Sequence, residues 1–562
     1  MVRENKVDIQ KGSVTGNVYG GYANDSGSAN ENTVNIKSVA GTIYGGYASG
    51  SGSASDNKVN ILGDFAGGST NIYGGYSSAG DAFHNTVGIS GVKNLTLGNI
   101  FGGNGSSRTG NTLVTDGTTP GFDTIKAASI QNFENYRFTL SEVNKNANFV
   151  YTLSKSVNLT GAKLEFSLNP GDELLIPGDR FILFSEAKGT PTAAGKQIQH
   201  GVSLVYNVVP GPIDGGYGLT VEGISGSASF TRAISQVQLS GLVIGQLTAN
   251  FLLDSGIPAA LDAFNAIDAL AQNPLASGRA HASPASRSES CLPFSLGGGF
   301  AVFAAVDGGF SEYKTGYGSE LDVDHLSFLT GLGWRGDTGT GKLFLGAAIH
   351  GGIGRYDSEF DGRTYANNDN FHNIGGGLLA RFDHASGFYG EAEGHLGRSL
   401  VKFDAVDPAS VNPAWVSFKS RNTYYGLGAG LGWLGRLGSI KLDASLRYAW
   451  SGSNGQNLVL LGDPFRLGGV HSHRLRAGGR VYFPAGPVSP YAGAYFEYEF
   501  NGKSLGNTYG YALREAKLKG VTGQGEAGVR YAAGRFHADL GLKGYVGKRR
   551  GLSLNLGVGY SF

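Results

Sequence analysis

The sequence has a single cysteine, Cys291, so no disulfide can form within the chain. In a polar linker, that thiol reads as incidental. Long apolar runs are also missing. No stretch of about 18 apolar residues exists, so no transmembrane helix is expected. Charge is sparse and balanced, with 45 basic and 44 acidic residues in 562. That composition offers no basic footprint for nucleic acid, and none is expected as a partner. The opening MVRENKVDIQ lacks the apolar core of a secretory signal peptide, and the chain starts inside a repeat. It therefore reads as a fragment or as a start placed too late. Catalytic signatures are absent as well. Asp254-Ser255-Gly256 lacks the preceding glycine of a serine-protease nucleophile, with no matching His and Asp constellation. His471 and His473 have no third ligand nearby. No enzyme, cofactor or metal site is expected.

Glycine and aromatics fill the space these absences leave, with 94 Gly, 27 Tyr and 31 Phe. Over residues 1–120 they recur with a period. ENKVDI at Glu4, ENTVNI at Glu31, DNKVNI at Asp56, HNTVGI at His84 and GNTLVT at Gly110 are copies of one motif. Their asparagines (Asn5, Asn32, Asn57, Asn85, Asn111) are 27, 25, 28 and 26 residues apart. Between them sit NVYGGYA, TIYGGYA, NIYGGYS and NIFGGNG, from Asn17, Thr42, Asn71 and Asn99. Two short strands per period, joined by Gly/Ser/Asn turns, predict a β-solenoid, a right-handed parallel β-helix. Recurrent Val, Ile and Tyr are expected in inner columns, and recurrent Asn in a hydrogen-bonded ladder. Residues 121–230 lose the repeat and are expected to form a β cap over the solenoid's open end.

Residues 231–295 form a connector. Its strongest helix signal starts at Pro258, with Leu261, Phe264, Ile267 and Leu270 at three-residue steps and Asn273-Pro274 as a stop. The tract AISQVQLSGLVIGQLTANFLL just upstream fits either helix or strand. From 296 to 562, twelve segments alternate large apolar with small or polar residues. Long and short connections alternate between them. An even strand number, apolar-out alternation and this loop pattern predict a transmembrane antiparallel β-barrel, so the fold is all-β. Strand parity places Leu326, Phe328, Leu431 and Trp433 outward. It places Glu391, Glu393, Arg447, Arg474, Arg476, Arg480, Glu497 and Glu499 in the lumen. Arg335-Gly336-Asp337 falls in a short periplasmic turn, out of reach of a host receptor.

The chain ends in GLSLNLGVGYSF. Its Asn555-x-Gly557-x-x-Tyr560-x-Phe562 pattern resembles the C-terminal signal of bacterial outer-membrane barrels. The order of solenoid, cap, helical connector, twelve strands and terminal Tyr-Ser-Phe resembles the type Va autotransporter family over the whole chain. That resemblance implies a barrel in the outer membrane of a Gram-negative bacterium, with the helix from Pro258 in its pore and the passenger on the cell surface. It implies the Sec translocon, the barrel-assembly machinery and outer-membrane lipid as partners. A host or cell-surface ligand of an adhesive passenger is expected. An enzymatic passenger encoded upstream and a porin-like channel are the alternatives. The connector has no Asn-Asn pair of the kind some members cleave, so the passenger is expected to stay attached.

Overall fold

A computed structural model describes residues 1–12, 14–64, 70–169, 172–262, 264, 298–360, 363–406 and 415–562. Met1–Ala228 makes up most of one compact unit. Ser229–Val406, Trp415–Leu460 and Pro464–Phe562 make up the other.

The first unit is a parallel solenoid. Lys6–Ile9, Thr33–Ile36, Lys58–Ile61, Thr86–Ile89 and Thr112–Asp116 stack in register, Val on Val and Ile on Ile in the first four, then Leu113 on Val87 and Thr115 on Ile89. Val34, Ile36, Val59 and Ile61 are fully buried. Val18–Ala23, Ile43–Ala48, Ile72–Ser77 and Asn94–Asn104 stack as a second ladder. Asn32, Asn57 and Asn85 each accept from the preceding asparagine of the ladder and donate to the next one. Asn57 Oδ1 accepts the backbone N–H and the side-chain amide of Asn32, each at 3.0 Å. Asn57 Nδ2 donates to Ala29 O at 2.9 Å and to Asn85 Oδ1 at 3.1 Å. These side chains are buried, so every donor and acceptor needs its partner.

The residue before each ladder asparagine explains the variable first letter of the motif. Glu4, Glu31, Asp56 and His84 have φ between 55° and 60°, and Gly110 has φ 71°. Asp and His enter the left-handed region more readily than most residues, and Gly does so without penalty, so three of the five first letters suit this backbone.

Two expectations change. The tyrosines are not inner columns. In Val18–Ala23 and its copies, both tyrosines face outward and the paired glycines face in. A Cβ on Gly46 would lie 2.5 Å from Asn57 Nδ2 and 2.2 Å from Ala29 O, so the chain can turn over the asparagine ladder only without side chains there. Parallel stacking also does not stop near residue 120. Asn135–Leu140 and Lys163–Leu168 extend the first ladder, and Thr124–Gln131 and Tyr151–Leu153 the second. The coil geometry outlives its sequence motif because apolar inner positions suffice to stack. Antiparallel pairing of Gln197–His200, Leu204–Ile213 and Gly216–Ser227 then ends the solenoid and satisfies its last edge.

The second unit contains a closed antiparallel barrel of twelve strands. In chain order they are β1 (Gly298–Gly316), β2 (Ser319–Asp337), β3 (Gly341–Phe360), β4 (Arg363–His384), β5 (Phe388–Val406) and β6 (Trp415–Leu437). They continue as β7 (Ile440–Ser453), β8 (Val470–Tyr482), β9 (Val488–Glu499), β10 (Gly520–Ala533), β11 (Phe536–Gly547) and β12 (Arg549–Ser561). β12 pairs with β1 and closes the wall. Part of what reads as long loop in sequence is strand, because β3 and β4 take in residues 357–360 and 363–370, and β5 and β6 take in 404–406 and 415–419. The connections after β7 and β9 add a small four-stranded sheet.

Parity governs the wall. Leu552, Leu554, Leu556, Tyr560 and Phe562 face out, while Ser553, Asn555 and Ser561 are buried. Leu378 and Leu431 are each 69% exposed, as a water-facing surface would not tolerate in number. Trp334 and Trp433 lie toward the short-turn end and Trp450 toward the other, at girdle positions. No helix among the described residues is long and apolar enough to cross a membrane, and here the strands do so.

Asn57→Ala removes two donors and an acceptor from the buried ladder. It is expected to lower solenoid stability by about 1–3 kcal/mol, read as a shift of the solenoid transition in denaturant unfolding. An unchanged midpoint would contradict the ladder's role.

Candidate functional site

The barrel lumen is occupied by a segment of its own chain. Helix α1 (Thr231–Phe251) passes into a π-turn at Leu252–Gly256 and continues as helix through Asp262. The predicted helix start at Pro258 is therefore corrected. The helix begins at Thr231, in the tract left open between helix and strand, and Pro258 lies inside it. Proline has no N–H, and its ring clashes with the carbonyl four residues back, here Asp254. The wide turn absorbs this: the Ile257 N–H donates to Leu252 O, five residues back. Leu261 and Phe264 are buried against the wall. Ile267 and Leu270 fall outside the described residues.

Polar side chains tie the first half of α1 to the long-connection end of the barrel. Gln236 Nε2 donates to Thr315 Oγ1 and Glu320 O, both at 2.9 Å. Arg232 Nη1 donates to Tyr317 O at 3.2 Å. Gln238 donates to Gly468 O, and the Arg514 N–H donates to Thr231 Oγ1. Halfway down, Gln246 Nε2 donates to Ser472 Oγ at 2.8 Å and Glu499 Oε2 at 3.0 Å. At the short-turn end the contacts turn apolar. Leu252, Leu253, Ile257, Leu261 and Phe264 pack with Phe303, Leu329, Phe344 and Leu379. Each such side chain contributes about 1.5–3 kcal/mol when fully buried.

The π-turn presents Asp254 to three cations. Its Oδ1 accepts from Arg447 Nη1 at 2.7 Å, and its Oδ2 accepts from Arg476 Nη1 at 2.9 Å and Lys543 Nζ at 3.2 Å. Arg476 Nη2 adds a second bond to Oδ1. All four side chains are nearly sealed from solvent. Glu391 shares the load by accepting from Arg447 Nε and from Arg381 Nη1. Charge removed from water in this way is tolerated only when paired and hydrogen-bonded.

The sequence-predicted lumen charges do face inward, with partners that parity alone does not give. Arg474 reaches Glu497 at 3.6 Å and donates to Asn250 and Gln246 of α1. Arg480 pairs with Glu526. Glu393 meets His395 at 2.9 Å. Glu499 accepts from Gln246, Ser472 and the backbone of His473 and Asn501. Asp254 and Lys543 were missed. Lys543 alternates with apolar neighbours on β11, a usable signal. Asp254 carries none beyond lying in a connector. In β12, Asn555 Nδ2 lies 3.4 Å from Asp539, and Gly557 faces Ala259 of the helix. A Cβ on Gly559 would sit 2.8 Å from Ala259 O, so the helix approaches the last strand closely where that strand carries no side chain. Tyr560 and Phe562 face outward, their rings edge-on at 5.5 Å. Among the described residues, no group of three or more His, Cys, Asp or Glu is placed to hold a metal ion.

An even-stranded closed barrel with an apolar exterior and a polar lumen is the architecture of a bacterial outer-membrane protein. Here the lumen is plugged by the chain's own helix. No family model matches the chain, and no curated protein sequence does. Among solved structures it is similar to the β domain of the Bordetella autotransporter BrkA, at 14% identity and TM-score 0.37, over 47% of this chain and 99% of that one. It is also similar to the translocator domain of autotransporter NalP from Neisseria meningitidis, at 17% identity and TM-score 0.36, over 47% and 88%. A third is the transport unit of autotransporter AIDA-I from Escherichia coli, at 16% identity and TM-score 0.34, over 47% and 90%.

Asp254→Ala leaves three buried cations without their shared carboxylate, a loss of about 3–5 kcal/mol for a broken buried pair. In planar lipid bilayers the purified chain should stay almost closed, and the variant should open in frequent, long steps. Indistinguishable traces would rule out Asp254 as the lock.

Proposed function

We propose that this chain is a self-exporting surface protein, an autotransporter. Its barrel brings the solenoid to the outer face of the outer membrane and keeps it tethered there through α1. The path of α1 carries this reading. The helix enters the lumen at the end formed by the long connections, near Gly468 and Arg514, and descends to the short-turn end. In outer-membrane barrels short turns are periplasmic and long connections external. The residues before 229 therefore leave the lumen on the outside. A lumen filled by a bonded helix is the wrong design for an open channel.

Under this reading the Sec translocon delivers the chain to the periplasm and the barrel-assembly machinery inserts it, engaging β12. Export needs no nucleotide. Each coil that stacks outside buries its inner Val and Ile on the coil before it, which draws the remainder through. The solenoid serves as a binding scaffold and carries no reaction. With no cleavable Asn-Asn pair in the connector, it stays joined to the barrel.

The test is protease shaving of intact cells that express the chain behind a supplied signal peptide, with an epitope inserted near residue 20. Loss of the epitope from intact cells, with a barrel fragment surviving, is the expected outcome. An epitope that resists protease until the outer membrane is permeabilised would sink the proposal.

A further inference from the structure

The solenoid carries two columns of aromatic rings that its core does not use. Tyr19, Tyr44, Tyr73 and Phe101 stack at centroid distances of 5.0, 5.0 and 4.6 Å. Tyr22, Tyr47 and Tyr76 stack beside them at 5.1 and 4.9 Å. Rings of the two columns meet edge-on, at 83–89° within each coil. All are part-exposed, and Tyr22 is 48% exposed. The inner positions of these strands belong instead to Val18, Ile43, Ile72 and Ile100.

Parallel rings touch at about 3.5–4.0 Å between carbon faces. At a 5.0 Å centroid distance the parallel rings are offset from one another. Flanking columns that begin at Asn17 and Asn24 supply amides and hydroxyls. Across the four coils, none of these four columns contains Asp, Glu, Lys, Arg or His. Burial, followed by the neighbouring phenols, pushes Tyr44 up to about 12. The face is thus uncharged at any physiological pH.

A surface of part-exposed aromatic rings, amides and hydroxyls without charge suits a ligand with apolar C–H faces, hydroxyl edges and no charge. That is the chemistry of a neutral sugar. The 5 Å repeat of the rings is close to the length of one sugar unit in an extended chain. We propose that this face binds a linear, uncharged polysaccharide lying along the solenoid axis, one sugar per coil. The proposal rests on the reading of the solenoid as a displayed binding scaffold, and it supplies the ligand class.

The experiment is calorimetric titration of the purified full chain, in a detergent without a sugar headgroup. The probes are cello-, malto- and manno-oligosaccharides of one to eight units, with polygalacturonate and hyaluronan oligosaccharides as anionic probes. At least one neutral series should bind, with affinity climbing to about four sugars and then levelling off, matching the four stacked coils. Tyr44→Ser with Tyr47→Ser should lose tenfold or more while the solenoid still unfolds in a cooperative denaturant transition, its midpoint lowered by the lost ring contacts. Tyr44→Phe with Tyr47→Phe keeps the rings and should stay within a few-fold of the parent. No binding by any neutral series, affinity independent of length, preference for the anionic probes, or loss in the phenylalanine pair would each overturn the proposal. Because the titration uses purified protein, it separates from display. A chain that binds sugars but resists shaving refutes only the export reading, and a shaved chain that binds none refutes only the sugar site.

Discussion

One carboxylate holds the second unit together in the form described. Asp254 sits among Arg447, Arg476 and Lys543 in a sealed lumen. Without it the three cations would repel one another in a low-dielectric space. With it, wall strands β7, β8 and β11 and the helix share one ion cluster. The position of the carboxylate depends in turn on Pro258. The proline forces the wide turn at Leu252–Gly256, and the wide turn swings Asp254 to the wall. Glycines 557 and 559 of the last strand let the helix lie against the closing seam. Helix, seam and charge cluster are therefore one construction.

The two units meet the same physical demand by different means. A strand must satisfy its backbone and cover its apolar face. The solenoid covers inner Val and Ile by stacking coil on coil and satisfies its corners with an asparagine ladder. The barrel closes on itself and leaves its apolar face to lipid. The contrast bears on the export proposed for this chain. Barrel stability needs the membrane, whereas solenoid stability accrues one coil at a time in water, so the second process is free to follow the first.

Much of this was legible in the sequence because β parity is a strong signal. The twelve strands, the outward Leu552 to Phe562 series and the inward arginines all follow from alternation. Three features were hidden for definable reasons. Helix α1 is surrounded on every side, so Gln236, Gln246 and Thr248 follow the polar wall and leave no apolar stripe to detect. Asp254 gains its meaning only from residues about 190 to 290 positions away. Tyr19 and Tyr22 are three apart, so parity assigns them to opposite faces. Only the Gly20-Gly21 corner turns both outward.

The most direct test of the occupied lumen is a crosslink. A Cβ on Gly245 would lie 3.8 Å from Ser451 Cβ, within the range a disulfide spans. The measurement is disulfide formation in isolated outer membranes for Gly245→Cys with Ser451→Cys, in a Cys291→Ser background. A near-complete crosslink, absent when the partner cysteine replaces outward-facing Tyr448 instead, is the predicted result. No crosslink between 245 and 451, or an equal one to 448, would show that α1 does not lie in the lumen as described.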